Sequence, residues 1–310
     1  MDLQIPLVGS GGEPVDLLRT LTSHGLASLP PLEIDEEAVT LTTTLAVRGG
    51  RPRTVRVSPG RAGHARVEVV GRAPGPRTSA ALADSVRHVL HMDEDLSEFY
   101  ALVADDPDLS WVARGAARMI RSPTVFEEVV RIVCTTNCSW ALTTRMITAL
   151  VERLGERASG APQDGWRGRA FPTAEAMAAA DLRFYRDVVR SGYRGPYLRA
   201  LAGSVVEGTV DLEALARSTP DGLSDDEVEA RLLALPGVGP YAAAHVMLLL
   251  GRYSRLILDS WTRPKYARLR GSRRPVSDTA ILRRFRRYGR YAGLAFWCYV
   301  TSDWVDDRPA

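Results

Sequence analysis

The chain is poor in lysine, poor in cysteine and free of long apolar runs. Of its 310 residues only Lys265 is a lysine, so nearly all positive charge is carried by arginine. Arginine richness beside abundant alanine reflects a GC-rich genome and says little about function. The scarcity of lysine does restrict amine nucleophile chemistry to one side chain and the terminal amine. The three cysteines, Cys134, Cys138 and Cys298, form neither a disulfide framework nor a four-cysteine cluster site. Cys134 and Cys138 can share a helix face, but no histidine lies near them, so no metal site is expected. No segment holds eighteen consecutive apolar residues, and Met-Asp-Leu-Gln does not open a signal peptide. A cytoplasmic protein with no membrane partner is expected. The net charge of +3 is too small to prove a polyanionic partner.

The content is otherwise that of an ordinary globular protein, 45% apolar and 25% charged, with ample length for a buried core. Residues 1 to about 75 read as β. Residues 39–47 (VTLTTTLAV) alternate with period two and end at Gly49-Gly50; residues 54–58 are the hairpin partner, and residues 64–70 a third strand. Residues 79–92 turn helical. The fold class expected is α+β, a small antiparallel sheet with a helix across it over 1–94, then a helical region over 95–310. Helices are expected over 96–103, 111–120, 126–134 and 142–157. Charge is uneven: residues 268–290 are densely basic and residues 93–108 acidic.

The organising stretch is 224–263. Ser224 with Glu227 makes a capping box, so a helix starts there and ends at Pro236-Gly237. Gly237 and Gly239 give a backbone free of Cβ for a tight turn. An apolar helix follows from Tyr241, its first amides open to an anion. Asp259 stands eighteen residues after Tyr241. Asp before Ser-Trp-Thr also suits a plain helix cap.

The L-P-G-V-G hairpin resembles the helix–hairpin–helix DNA-binding element, and the following carboxylate resembles the catalytic aspartate of the helix–hairpin–helix DNA glycosylases. Other motifs occur in the family's order. Residues 126–155 are similar to the helix–loop–helix of 8-oxoguanine glycosylases, and Asn137 matches the asparagine that enters the space left by the target base. The same polar cluster, Thr135 to Ser139, also reads as an N-cap. F-P-T-A-E-A-M at 171–177 resembles the family's F-P helix start. G-Y-R-G-P-Y at 192–197 is similar to the turn whose Tyr and Arg wedge beside the opposite base, positions held by Tyr193 and Arg194. Y-G-R-Y-A-G-L-A at 288–295 resembles the closing helix, which borders the flipped-base pocket.

The resemblance implies two helical subdomains with a cleft between them, and damaged double-stranded DNA as partner for a monomer. It implies Asp259 as the catalytic residue. Asn137, Tyr193, Arg194, Gly237, Val238, Gly239, Tyr241 and Arg263 are the implied DNA contacts, and Tyr241, Trp261, Phe296 and Trp297 the base pocket, each also readable as core. No cofactor is expected: the ligands of the iron–sulfur cluster of some relatives are missing, while a structural cation at the hairpin carbonyls stays open. The departures matter. Tyr241 stands where bifunctional members carry a Schiff-base lysine, so hydrolysis without strand cleavage is expected. Phe296 replaces a base-reading glutamine and Leu142 an arginine that reads the opposite cytosine, which favours an alkylated over an oxidised purine. The alternatives are a hydrolase for an oxidised purine and a non-catalytic lesion-binding protein.

Overall fold

A computed structural model describes residues 2–304. Five strands form one antiparallel sheet: β1 (Asp2–Pro6), β2 (Glu33–Asp35), β3 (Thr40–Val47), β4 (Gly50–Pro59) and β5 (His64–Val69), in the order β1-β5-β4-β3-β2. The alternation read from residues 64–70 is real, with Ala65, Val67 and Val69 turned inward and the residues between them toward water. Register across β3 and β4 pairs Leu41 with Val57 and Thr44 with Thr54, whose hydroxyls meet at 2.9 Å. The helix Pro76–Val89 lays Leu82, Val86 and Val89 over this face. The architecture is α+β, as expected.

The helical region departs from expectation in one informative place. Residues 111–120 are not a helix. A short 3-10 turn, Ser110–Arg114, stops at Gly115 with φ +112, where a Cβ would come within 2.6 Å of the Asp16 amide nitrogen. Beyond it residues 116–120 are buried in neither helix nor strand, with Ala117 at φ +69, and stitch the sheet region to the helices. The Ile120 amide donates to Ser23 Oγ at 2.9 Å, Tyr100 Oη donates to the Ala116 carbonyl at 2.6 Å, and Arg118 pairs with Glu13. Its apolar periodicity comes from burial on all sides, which periodicity alone cannot tell from a helix. The helix expected over 142–157 runs Trp140–Leu154, ending at Gly155, where a Cβ would meet the Ala170 carbonyl at 2.2 Å.

Two apolar cores result. The sheet core runs from Ile5 to Met92 and takes in Ile120, while the helical core already includes Leu26 and Leu29 and extends to Val300. They therefore exchange residues across position 94. At the centre of the helical core lies Pro240–Leu249, buried at every position from Ala242 to Leu249, against the helix Val125–Thr135. Among the described residues no helix is long and apolar enough to cross a membrane.

Candidate functional site

The hairpin is built from both sides. Ser224 and Glu227 form the reciprocal box, with the Ser224 amide donating to Glu227 Oε2 at 2.8 Å, and the first hairpin helix runs Asp225–Leu233. The buried Arg252 closes the far end, donating to the Leu223 carbonyl at 2.8 Å and to the Ser218 carbonyl at 2.9 Å. Gly237 sits at φ +79 with the Tyr197 ring 3.0 Å from where its Cβ would be, so only glycine lets that ring pack on the turn. Gly239 caps the second helix, Pro240–Leu249, without a side-chain acceptor, and the space beside it is open. Val238 departs from its expected role: its side chain is in the core and its amide donates to the Leu235 carbonyl at 3.2 Å. It anchors the turn, leaving the open backbone to the two glycines.

Asp259 is half-buried just before the helix Thr262–Leu269. Its Oδ1 accepts from the Trp261 amide at 2.8 Å and the Thr262 amide at 2.6 Å, and its own amide donates to Thr262 Oγ1 at 2.9 Å. Asp259 therefore caps this helix, and the cap uses one oxygen. Among the described residues no group donates to Oδ2.

An aromatic wall adjoins it. Tyr241 meets His245 with ring centroids 5.8 Å apart, His245 meets Trp297 at 5.9 Å, Trp297 meets Trp261 at 6.0 Å, and Trp261 meets Trp304 at 5.5 Å. Trp261 is 40% exposed and Trp297 buried, its Nε1 donating to the Ser23 carbonyl at 2.8 Å. Burial pushes the Tyr241 hydroxyl pKa up; a hydrogen bond with Thr135 opposes this and the Asp259 charge adds to it. Tyr241 is thus a neutral phenol close to both the carboxylate and the loop that carries Asn137. Phe296 is a correction. It has no exposed surface and packs on Tyr266 and Phe285, at 6.1 and 5.2 Å. Neighbours on the helix Ala292–Val300 point about 100° apart, so turning Trp297 to the wall turns Phe296 to the core.

The remaining expected contacts divide. Asn137, exposed at φ +47, donates from Nδ2 to Tyr193 Oη at 3.4 Å, and Tyr193 is 52% exposed with Tyr197 beside it at 6.1 Å. These side chains project together. Arg194 does not: it is 4% exposed beneath the Tyr193 ring and donates to the Thr136 carbonyl. Its guanidinium ties the Asn137 loop to the Tyr193 turn. Arg263 is held by Asp278 at 2.7 and 2.9 Å, and Lys265 by Asp303 at 2.6 Å. The basic block also splits. Arg284, Arg287 and Arg290 pair with Asp108, Asp106 and Glu98 of the acidic stretch. Arg268, Arg273 and Arg274, which have no ion pair among the described residues, line an open groove of about 450 Å³ with Arg263.

Sequence reasoning missed His24 and His245. His245 follows Tyr241 by one helical turn on the same face, a signal that was present. His24 comes from the N-terminal region, and nothing local points to it.

No protein-family model matches the chain. A probable N-glycosylase/DNA lyase of Methanothermobacter thermautotrophicus is 26% identical over 204 residues, 59% of this chain and 62% of that protein, so the chain spans less than two thirds of that relative's length. Among solved structures, a 3-methyladenine DNA glycosylase from Archaeoglobus fulgidus superposes with a TM-score of 0.71 at 18% identity, covering 97% of this chain and 98% of that one. An 8-oxoguanine glycosylase/lyase of Clostridium acetobutylicum superposes with a TM-score of 0.70 at 19% identity, covering 94% of both. The chain has the fold of the helix–hairpin–helix DNA glycosylases.

Proposed function

We propose that this chain is a base-excision DNA glycosylase that binds duplex DNA as a monomer and hydrolyses the N-glycosidic bond of an alkylated purine turned out of the helix, without cutting the strand. The observation that carries this reading is Asp259, whose carboxylate has one oxygen locked by two backbone amides and the other, among the described residues, unengaged beside an aromatic wall. Departure of a base builds positive charge on the deoxyribose, and a preorganised carboxylate stabilises it most in the transition state. The same oxygen can orient or deprotonate the attacking water.

Turning the base out costs a few kcal/mol, less for a damaged pair. Asn137 and Tyr193, exposed side by side, suit the filling of a vacated stack, and the glycine turn with the start of Pro240–Leu249 suits a phosphate. A purine nucleotide alkylated at ring N3 or N7 carries a positive charge on its base, which is already a good leaving group. Trp261, Trp297 and Tyr241 offer π faces to it, and a cation–π contact is worth about 0.5–2 kcal/mol in such a setting. Tyr241, a neutral phenol, replaces the amine that strand cleavage needs, and the ammonium of Lys265 is engaged by Asp303.

The test is base release from duplexes carrying 7-methylguanine, 3-methyladenine or 8-oxoguanine, with strand breaks scored with and without alkali. Breaks from the methylated duplexes that need alkali support the reading. Breaks without alkali, trapped as a protein–DNA adduct by borohydride, would overturn its hydrolytic part. Release of 8-oxoguanine alone would overturn the alkylated substrate. Tight lesion binding without release would make the protein a non-catalytic reader.

A further inference from the structure

Two buried histidines meet within the aromatic wall. His24 and His245 lie edge to face with centroids 6.0 Å apart, and His245 is 5% exposed between Tyr241 and Trp297. His24 Nε2 contacts the Ile120 carbonyl, which can only accept, so the His24 proton sits on Nε2 and Nδ1 is an acceptor. Among the described residues that Nδ1 has no partner, nor has either nitrogen of His245. Folded proteins leave few buried polar atoms unsatisfied, and three ring nitrogens at one place call for a ligand or a structural explanation. Among the described residues the neighbouring rings supply no partner: Trp297 Nε1 donates to the Ser23 carbonyl instead.

We infer that His245 is a specificity-determining residue that exchanges hydrogen bonds with the polar edge of the extruded purine. The inference rests on the glycosylase reading and adds a selection which an aromatic wall alone lacks. A stacking surface accepts any flat cation. A neutral imidazole offers one donor and one acceptor, and so favours a purine with donor and acceptor atoms on the edge it presents. Burial holds the His245 pKa down to about 4 and the His24 pKa down to about 3, so both rings are uncharged at neutral pH and do not repel a cationic base. His245 is one helical turn from Tyr241 on the same face and touches both Tyr241 and Trp297, so a base seated against these rings meets the His245 imidazole. His24 backs that ring as a second acceptor.

The test compares the wild type with His245→Phe, which keeps the flat ring and removes both nitrogens, and His245→Asn, which keeps a donor and an acceptor. Single-turnover release of 7-methylguanine and 3-methyladenine is measured alongside binding to an abasic duplex and thermal unfolding. Expected is a loss of about ten- to a hundredfold in release for His245→Phe, the range for unpairing a base-reading group. Abasic binding should stay within about twofold, since no base is there to read. The Phe variant should melt at or above the wild type, and Asn should recover part of the release. Release unchanged in the Phe variant, with a raised melting temperature, would overturn the inference and leave His245 an unsatisfied core residue. If the Phe variant fails to fold, His245→Asn and His245→Ala take its place, and equal release by wild type and both would overturn it. If the wild type releases no base at all, the glycosylase reading fails separately. His245 is then judged by the preference for methylated over abasic duplex, which the Phe variant must lose.

Discussion

Asp259 caps a helix with one carboxylate oxygen, and the mechanism proposed above draws on the other. Its Oδ1 caps the helix Thr262–Leu269 through two amides, and its Oδ2 is left over. Asparagine can keep the first function, because its carbonyl oxygen accepts the same two bonds, but it cannot keep the charge. Asp259→Asn is therefore expected to fold and bind lesion DNA as the wild type does, while base release falls by about 10²–10³-fold or more, the scale for removing one electrostatic stabiliser. Unchanged single-turnover release in that variant would remove Asp259 from the proposed mechanism. The buried histidines carry a pH signature. His245 is neutral in the fold down to about pH 4, whereas an unfolded histidine takes up its proton near pH 6.5. Between those values the unfolded chain binds more protons, so this contribution to stability is complete above pH 6.5 and is lost as the pH falls toward 4. Glu127, pushed up to about 7 by burial, acts in the opposite direction over part of the range. The readout is therefore a difference: denaturant unfolding of wild type and His245→Phe should diverge from pH 7 to pH 4.5, the variant losing less stability. Parallel curves would mean that His245 titrates normally.

At the scale of elements, glycines decide where the chain turns, and only some are explained by their neighbours in sequence. Gly237 was legible, because a tight turn between two helices demands it. Gly115 was not, because what it avoids is the backbone at Asp16, nearly a hundred residues earlier. Gly115→Ala combines a left-handed backbone with a backbone clash, and it should cost about 2–4 kcal/mol by the scale of strained and overpacked positions. The Ser224 box is local, and Ser224→Ala should cost only about 1 kcal/mol. Denaturant melts of both variants check the contrast, and equal effects would mean that the turn after Arg114 is not constrained as described. The same distinction explains residues 111–120. Their apolar spacing records burial, and burial on every side looks alike in a helix and in an irregular strap.

On the scale of the whole molecule, the tertiary structure sorts charges that look equivalent along the chain. Residues 268–290 form one basic block in sequence, but Arg284, Arg287 and Arg290 pair with the acidic stretch while Arg268, Arg273 and Arg274 line an open groove. If DNA is the partner, replacing those three by alanine should weaken binding across all sequences and reduce the salt slope of the affinity by about one per lost phosphate contact. Replacing Arg284, Arg287 and Arg290 should leave the slope unchanged and lower stability instead, and a fluorescence anisotropy titration across salt concentrations separates the two. The sequence by itself determined the α+β order, the strand alternation, the capping box, the hairpin glycines and the place of Asp259, because each depends on residues a few positions apart. Only the tertiary structure decided that Phe296 is core while Trp297 joins the wall, that Arg194 is a tie to Thr136, and that His24 meets His245. Those outcomes depend on which face of a helix meets a partner far away in the chain, and local spacing does not carry that information.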